Sequence, residues 1–341
     1  MSDPAFSSVE YLPRRISYPP ARTWIKHLFW LLLTFITTTL TGAVPLFSLE
    51  TYLEVQLPPP HTWIESWWQL ALLPGLYAQT VGELTSWLVN NPAALLEGLS
   101  YSIPLLFILL CHETGHYIAC RIYRVEATLP LFIPSPPLVA LGTFGAFIRI
   151  LTPMPSRKAV FDIGVAGPIA GFIALIPVAI IGLLRMTPAP EGAVSQITFT
   201  DPLFMRLLGW VIGVDPVNSV SNPFYMAAWI GLLVTSLNLI PSGQLDGGHA
   251  FYAIFGKRPH ALMAKISFVV MATLSVLGIL LYNSPVGILF AIILAVMIKI
   301  GHPEPYDDRP LDLKRKLVAA LTLIIFALCF VPFPLQINLF N

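Results

Sequence analysis

Residues 99–122 of the chain read LSYSIPLLFILLCHETGHYIACRI, and this stretch governs how the rest of the sequence is interpreted. A helix rises about 1.5 Å per residue, so this stretch is long enough to cross the roughly 30 Å hydrocarbon core of a membrane. Three polar side chains, His112, Glu113 and His116, lie among leucine, isoleucine and phenylalanine. Ionisable groups at such a depth cost a few kcal/mol in lipid and usually have a function there. The stretch therefore predicts a membrane-spanning helix that carries a functional site.

The composition of the whole chain agrees with a membrane protein. Of its 341 residues, 56% are hydrophobic and 11% are charged, and the mean hydropathy is +0.75, whereas soluble domains carry roughly 25% charged residues. A water-soluble globular protein is thereby excluded. The net charge is +1, so we expect neither a nucleic-acid nor a nucleotide partner. The three cysteines lie in apolar segments without paired spacing, and we interpret them as small core residues.

Apolar segments recur along most of the sequence. We predict an all-α polytopic membrane protein with about six to seven transmembrane helices, preceded by a cytoplasmic polar tail at residues 1–22. A tryptophan-rich stretch, residues 63–80, is predicted to be an interfacial segment rather than a span, because Glu65, Pro74 and Gly75 interrupt it. The predicted spans are residues 23–47, 99–120, 159–184, 224–240, 264–282, 286–300 and 317–335.

The basic residues orient these spans. No lysine or arginine occurs between Lys26 and Arg121, which marks the intervening loop as translocated. We place the N-terminus in the cytoplasm and let the seven spans cross the membrane in order. Of all lysines and arginines, only Arg185 and Arg206 then lie on the opposite side of the membrane, where the C-terminus also lies. We therefore expect a multi-pass protein of the inner membrane of a bacterial cell, with its site facing the cytoplasm.

The HExxH pattern at residues 112–116 specifies the chemistry. A spacing of four places both imidazoles on one helix face, where they can bind one Zn²⁺ ion with Glu113 beside the water to be activated. The alternative is a pair of core histidines and a hydrogen-bonded glutamate, which would leave three costly polar groups in an apolar helix without a function. We expect one zinc ion per chain.

A catalytic zinc site needs a third protein ligand. The pattern that places a third histidine shortly after HExxH fails, because Ala119 and Ile122 occupy the required positions. Glu126 would have to fold back sharply, and Asp162 begins a separate span. Asp246, in NLIPSGQLDGGH at residues 238–249, is placed by the threading at the same side and depth as the histidines. The alternative for Asp246 is a simple helix cap.

These motifs together resemble the site-2 protease family of intramembrane zinc metalloproteases. HETGH and the downstream NLIPSGQLDGGH carry the resemblance, and residues 142–150 (GTFGAFIRI) and 162–172 (DIGVAGPIAGF) are similar to the chloroplast-type and related bacterial members. The resemblance covers roughly residues 100–260 and implies zinc ligation by His112, His116 and Asp246, with Glu113 as the catalytic acid and base. It also implies a role for Asn238 in orienting the substrate or stabilising the oxyanion.

The segment before the third predicted span is rich in proline and glycine and indicates a re-entrant loop or β-hairpin near the active site. The resemblance implies that its edge binds substrate as an added strand, and the alternative is a purely structural loop. We interpret the glycines at the start of that span as close helix packing and Lys314, Arg315 and Lys316 as a topology anchor. His249 is assigned no metal. The candidate substrate-binding residues are Gly142, Thr143, Phe144 and Gly145.

The expected protein is a single membrane-embedded metalloprotease domain, residues 23–341, with its core motifs at residues 99–260. Its expected activity is that of an intramembrane zinc endopeptidase in regulated intramembrane proteolysis, with a single-span transmembrane protein as substrate and membrane lipid as its surroundings. One alternative is a membrane zinc enzyme that acts on peptides at the cytoplasmic face. The other is a catalytically silent scaffold or transporter-like protein, whose mark would be the loss of Glu113 or a ligand.

Overall fold

The structure is a computed structural model that describes residues 18–44, 63–137, 141–190 and 197–337. Most of the predicted tail, residues 1–17, and the end of the first predicted span, residues 45–47, lie outside the described residues. The described chain is mostly helical. Its helices are α1 (Ala21–Ala43), α2 (Trp63–Asn90), α3 (Pro92–Ile122), α4 (Arg157–Leu184), α5 (Leu203–Ile212), α6 (Pro223–Asn238), α7 (Asp246–Phe255), α8 (Lys257–Tyr282), α9 (Val286–Ile300) and α10 (Leu313–Cys329).

Four helices, α1, α3, α4 and α8, are long and apolar enough to cross a membrane. They coincide with four of the seven predicted spans. The other three predicted spans fall on α6, α9 and α10, which are shorter, with 16, 15 and 17 residues. A polytopic, mainly helical membrane protein is thus confirmed, and the larger number of crossings stays a prediction.

The tryptophan-rich stretch belongs to one continuous helix. Residues 63–90 form 28 helical residues that contain Pro74. A proline inside a helix removes one backbone hydrogen bond and can kink the helix, but neighbouring residues can continue it. The helix is not among the four that are long and apolar enough to cross a membrane, and its interfacial location stays a prediction.

The connections between the helices contain short strands, and one of the pairs lies in the segment for which a re-entrant loop or β-hairpin was predicted. Three antiparallel pairs form, β1 with β2, β3 with β5, and β4 with β6. The last pair joins the segment after α4 to the one after α10, two segments that the basic residues place on the same side. The strands are β1 (Leu131–Pro134), β2 (Thr143–Phe147), β3 (Thr187–Pro188), β4 (Ile197–Phe199), β5 (Ser219–Val220) and β6 (Leu335–Ile337).

Helix α4 is the centre of the molecule, because it packs against α3, α6 and α7. Small residues bring these helices close together: a Cβ atom added to Gly115 in α3 would lie 2.5 Å from the backbone oxygen of Ala166 in α4. Close approach through small residues is typical of membrane helix pairs, where packing rather than water exclusion stabilises association. Side chains such as Leu105, Leu175 and Ile230 are fully buried in the resulting core.

The β1–β2 hairpin is fastened to the helices at its turn. The Thr37 hydroxyl of α1 donates a hydrogen bond of 2.6 Å to the Gly142 carbonyl oxygen, and the Tyr101 hydroxyl of α3 donates one of 3.0 Å to Leu141. These bonds satisfy backbone groups that lie among apolar helices, where an unpaired carbonyl is costly. They hold the hairpin beside the helix that carries HExxH.

Candidate metal centre

Two helices bring the three predicted ligands together. His112 and His116 lie one turn apart in α3, and Asp246 is the first residue of α7. The two Nε2 atoms are 3.2 Å apart, and the Asp246 carboxylate oxygens lie 3.2 Å from His112 Nε2 and 3.3 Å from His116 Nε2. Zinc bound at about 2.0–2.1 Å in tetrahedral geometry separates its ligand atoms by about 3.3 Å. The two Nε2 atoms and the Asp246 carboxylate group therefore form a triangle with sides close to this spacing, in which Oδ2 is the oxygen near His112 and Oδ1 the oxygen near His116.

A glycine-rich turn makes Asp246 reach this position. Helix α6 ends at Asn238, and α7 begins only at Asp246, as the helix-breaking residues between them predict. Gly243 adopts a positive φ of 52°, and a Cβ atom on Gly248 would lie 2.5 Å from the Gly243 carbonyl oxygen. Only glycine allows backbone segments to approach so closely. The turn thus places the carboxylate at the depth of the two histidines.

The structure also fixes the orientation of His116. Its Nδ1 atom lies 2.7 Å from the Ile163 carbonyl oxygen in α4, which can only accept, so Nδ1 carries the proton and Nε2 presents a lone pair to the centre. A backbone carbonyl behind a ligating histidine is a common arrangement in metal sites. The sequence did not identify this partner, because a carbonyl acceptor has no side-chain signature.

Glycines of α4 make room for both imidazoles. A Cβ atom on Gly167 would collide with the ring of His116, and one on Gly171 would lie 3.1 Å from His112 Nδ1. Sequence analysis attributed these glycines to helix packing alone. They also shape the site, and the only signal for this role was their spacing of four on one helix face.

The donor set fits a cation. Nitrogen lone pairs and carboxylate oxygens converge here with little solvent, since His112 and His116 are only 4% and 7% exposed. Acceptors that face one another without a proton between them repel, and a divalent cation relieves that repulsion. Two imidazoles and one carboxylate are a typical zinc donor set.

Glu113 lies beside the donor triangle in a pocket of about 180 Å³. The pocket is lined by the three candidate ligands and Glu113, and by residues of the hairpin and of α7. Glu113 is 5% exposed, and the backbone of Ile148, just after β2, hydrogen-bonds its carboxyl group. A carboxylate held next to a metal position can accept a proton from water, as general-base catalysis requires.

Comparison with known proteins identifies the family that this arrangement represents. The model of peptidase family M50 matches residues 100–281, more than half of the chain. The chain belongs to peptidase family M50. This assignment confirms the resemblance to site-2 proteases inferred from the motifs.

Named relatives of this M50 chain include three plant proteins. The probable zinc metalloprotease EGY1, chloroplastic, of Arabidopsis thaliana is 31% identical over 246 residues, 69% of this chain and 42% of the relative. The EGY1 protein of Oryza sativa subsp. japonica is 37% identical over 161 residues, 45% of this chain and 27% of the relative. Arabidopsis EGY2 is 30% identical over 216 residues, 59% of this chain and 38% of the relative. The chain thus spans less than half the length of these relatives.

Another predicted ligand candidate, Asp162, lies in a different cluster of this M50 chain. Arg315 donates hydrogen bonds of 2.9 and 2.6 Å to its two carboxylate oxygens, and the hydroxyl of Tyr123 donates to it as well. Burial and, to a smaller extent, Asp162 raise the pKa of Tyr123. Arg315 also donates to Asp312 at 2.5 Å. Its interpretation as a topology anchor is therefore incomplete, because Arg315 ties α10 to the ends of α3 and α4.

The remaining predicted site residues lie in two places, the pocket and the hairpin. Asn238 Nδ2 lies 3.4 Å from His112 Nε2, and the side chain lines the pocket. Gly142 packs against α1, and the Thr143 hydroxyl donates a hydrogen bond of 2.9 Å to Ile133 across the hairpin. The residues of the hairpin segment that line the pocket come later in the chain than the predicted Gly142, Thr143, Phe144 and Gly145, and they are Ala146, Phe147, Ile148 and Ile150.

Proposed function

We propose that the chain is a zinc-dependent endopeptidase that hydrolyses peptide bonds in or near transmembrane segments of other membrane proteins. The observation that carries this proposal is the triangle of donor atoms beside Glu113, built on a helix long enough to cross a membrane. Membership of family M50 and the similarity to relatives named as probable zinc metalloproteases support the same activity.

The proposed ligands are His112, His116 and Asp246, and the spacing of their donor atoms fits zinc. Bound zinc supplies a Lewis acid that polarises a peptide carbonyl group and makes water more acidic. The hydrogen bond from His116 Nδ1 to Ile163 keeps Nε2 free to act as a ligand.

Glu113 is the proposed acid and base. Its carboxylate accepts a proton from the attacking water and later returns that proton to the nitrogen of the leaving amine. Asn238 lines the same pocket and carries an amide donor, so we propose that its Nδ2 atom hydrogen-bonds the carbonyl oxygen of the substrate as negative charge develops there.

The hairpin is the proposed substrate platform. The pocket-lining end of β2 and the residues just after it, Ala146–Ile148, lie next to Glu113, and β2 pairs with β1 alone among the described strands. An extended peptide that adds to a strand edge exposes its carbonyl groups, which a helix would hide. The proposed substrate is a single-span transmembrane protein unwound near its cleavage site, in the pathway of regulated intramembrane proteolysis.

The proposed orientation follows the basic residues. His112 lies nine residues before Arg121, so at 1.5 Å per residue the centre is about 10–15 Å below the cytoplasmic boundary. We propose that all seven predicted spans cross the membrane and that water enters from this side. In a bacterial cell this side is the cytoplasm facing the inner membrane, and in a plastid it is the stroma.

The test combines zinc content with cleavage of a membrane-spanning peptide by the purified full chain in lipid vesicles. Wild type is expected to hold one zinc and to cleave. Glu113→Gln is expected to retain zinc and to lose about 10²- to 10⁴-fold in rate, because it removes the general base. Asp246→Ala is expected to lose zinc. Glu97→Gln, on the exposed face of the same helix, is the matched control and should behave as wild type.

Two results would contradict the proposal. One is a wild-type chain that binds no metal under conditions where it is folded. The other is a Glu113→Gln variant that cleaves as fast as wild type, which would leave the buried carboxylate without its proposed task and favour the silent scaffold.

A further inference from the structure

Three histidines and a tyrosine form a second cluster next to the metal centre. His249, three residues after Asp246, lines the pocket, and its Nδ1 atom lies 2.7 Å from Nε2 of His302. The His302 ring stacks on Tyr252 with a centroid distance of 4.1 Å and an interplanar angle of 9°. His260 approaches the same ring edge-on at 5.3 Å. The His302 ring is thus held from two sides.

The direction of the hydrogen bond between the two histidines follows from a third atom. His302 Nδ1 lies 2.6 Å from the Pro303 carbonyl oxygen, which can only accept, so His302 Nδ1 carries the proton. Burial lowers the pKa of His302 to about 3, so its ring is neutral and its Nε2 atom is a lone-pair acceptor. The proton between the two rings therefore belongs to His249 Nδ1. Burial lowers the pKa of His249 to about 4, so this ring is also neutral and its Nε2 atom is unprotonated.

His302 lies on a connector, residues 301–309 between α9 and α10, that is fastened to the start of α4. The backbone amide of Asp307 donates a hydrogen bond of 3.1 Å to Pro155, and the amide of Arg157 donates one of 3.0 Å to Asp307. The Arg157 guanidinium also donates to Asp308 at 2.5 Å. These bonds keep the connector, and with it His302, at a fixed place beside the pocket.

We infer that His302 is a positioning residue that holds His249 in one tautomer, so that an unprotonated Nε2 faces the pocket and accepts a hydrogen bond from a backbone N–H of the bound substrate. The inference rests on the proposed function, because it assigns a substrate contact to the same pocket. It gives the pocket an acceptor that complements the proposed donor Asn238. A peptide presents both a carbonyl oxygen and an N–H group, and a site that pairs both fixes the register of the chain.

The tautomer also excludes another role for His249. An unprotonated nitrogen cannot donate a hydrogen bond to a developing oxyanion, so His249 contributes to substrate binding rather than to stabilisation of charge in the transition state. A contact made equally in the ground state and the transition state changes KM and leaves kcat in place.

The experiment compares two substitutions at residue 302 with one control in the full chain. His302→Leu removes the acceptor, whereas the side-chain oxygen of His302→Gln can still accept from His249. The matched control is Glu304→Gln. Glu304 lies on the same connector as His302, and its substitution removes an exposed ion pair with Lys257 of α8. KM and kcat are measured with a membrane-spanning peptide, and zinc content is measured for each variant. Histidine ¹⁵N NMR spectra report the tautomer directly, and loss of one signal in His249→Gln assigns it among the seven histidines.

In His302→Leu we expect KM to rise about threefold to tenfold, the effect of one neutral hydrogen bond, with kcat and zinc content unchanged. His302→Gln and Glu304→Gln should keep the wild-type KM. A wild-type His249 protonated at Nε2, a His302→Leu variant with wild-type KM, or a loss confined to kcat would each overturn the inference. The NMR result needs no cleavage, so failure of the proposed function and failure of this inference are separately visible.

Discussion

Helices α4 and α8 have almost the same apolar character but very different surroundings. Their most apolar 18-residue windows have mean hydropathies of 2.3 and 2.1, yet 56% of the α4 window is buried inside the protein against 22% of the α8 window. The corresponding stretch of α3, which carries HExxH, is 44% buried, and that of α1 is 22% buried. Apolar character therefore indicates the membrane without indicating which helices form the centre.

The difference lies in small residues and polar partners. Helix α4 carries glycines at close approaches of α7, α3 and α6, namely Gly164, Gly171 and Gly182. In α8, by contrast, a Cβ atom on Gly278 would make only ordinary contacts at 3.5 Å or more. Lipid gives apolar helices no reason to associate, so packing and hydrogen bonds decide which helices become central. The candidate metal centre lies where these close approaches concentrate.

The largest expected effect comes from adding one methyl group to α4 at Gly167, next to the metal centre. In Gly167→Ala the new Cβ collides with the His116 ring, and the ring can avoid it only by leaving its place in the donor triangle. Zinc affinity should therefore fall by about 100-fold, the upper end of the effect of disrupting the groups that orient a metal ligand. Competition with a chelator measures this affinity in detergent-solubilised protein.

Gly278→Ala in α8 is the matched control and should leave zinc affinity unchanged, because its Cβ has room. If Gly167→Ala bound zinc as tightly as wild type, the close contact between α4 and His116 would not exist in the membrane, and the comparison of the two helices would fail.

A smaller effect is expected for the ion pair that joins α10 to α4. The Arg315 and Asp162 side chains are 24% and 29% exposed, between the surface and the interior. Arg315→Gln should therefore lower the free energy of unfolding by about 1–3 kcal/mol, more than an exposed pair and less than a fully buried one. Titration with a denaturing detergent measures this change.

Arg309→Gln provides the contrast for that measurement. Arg309 also pairs with an aspartate, Asp307, but its side chain is 86% exposed, so its removal should change the free energy of unfolding by less than about 1 kcal/mol. Equal effects of the two substitutions would show that Arg315 only anchors the topology.

Truncating a leucine should destabilise the protein more in α4 than in α8, and the difference in free energy of unfolding should be slightly smaller than for the ion pairs. Leu175 in α4 is fully buried and Leu280 in α8 is 72% exposed. Lipid is as apolar as the interior, so the transfer contribution of Leu→Ala nearly cancels in a membrane, and the cavity contribution remains. Leu175→Ala should lower the free energy of unfolding by about 1–2 kcal/mol and Leu280→Ala by less than about 0.5 kcal/mol. Reversed magnitudes in the same detergent titration would place α8 in the core.

How much of this the sequence predicts depends on the kind of group. The spacing of HExxH indicated His112, Glu113 and His116, the threading of the spans and the family resemblance indicated Asp246, and the structure places the four side chains around one pocket. Backbone groups and empty space have no such signature. The carbonyl of Ile163 and the room left by Gly167 became visible only once α4 was packed against α3.

Long-range pairs are the other part that the sequence does not reveal. Arg315 and Asp162 are separated by 153 residues, and His302 and His249 by 53. From the sequence, Arg315 was interpreted as a topology anchor and His249 was assigned no metal, because the partner that gives each its role lies in a distant part of the chain. The helix at residues 63–90 shows that Pro74 alone does not mark a helix end, because the flanking residues continue the helix through it.

The smallest expected effect concerns the hydrogen bond by which α1, a mostly exposed helix, holds the hairpin. Thr37 donates a hydrogen bond of 2.6 Å to Gly142 at the turn of the hairpin, whereas Thr273 in α8 donates one of 2.9 Å to Val269 in its own helix and is exposed. Replacing either by valine removes a hydroxyl at nearly constant size. Thr37→Val leaves the Gly142 carbonyl without this donor and should cost about 0.5–1.5 kcal/mol, whereas Thr273→Val should be close to neutral. Hydrogen exchange should then show faster exchange of the hairpin amides in Thr37→Val only. Unchanged exchange would mean that Tyr101 and the strand pairing hold the hairpin without α1.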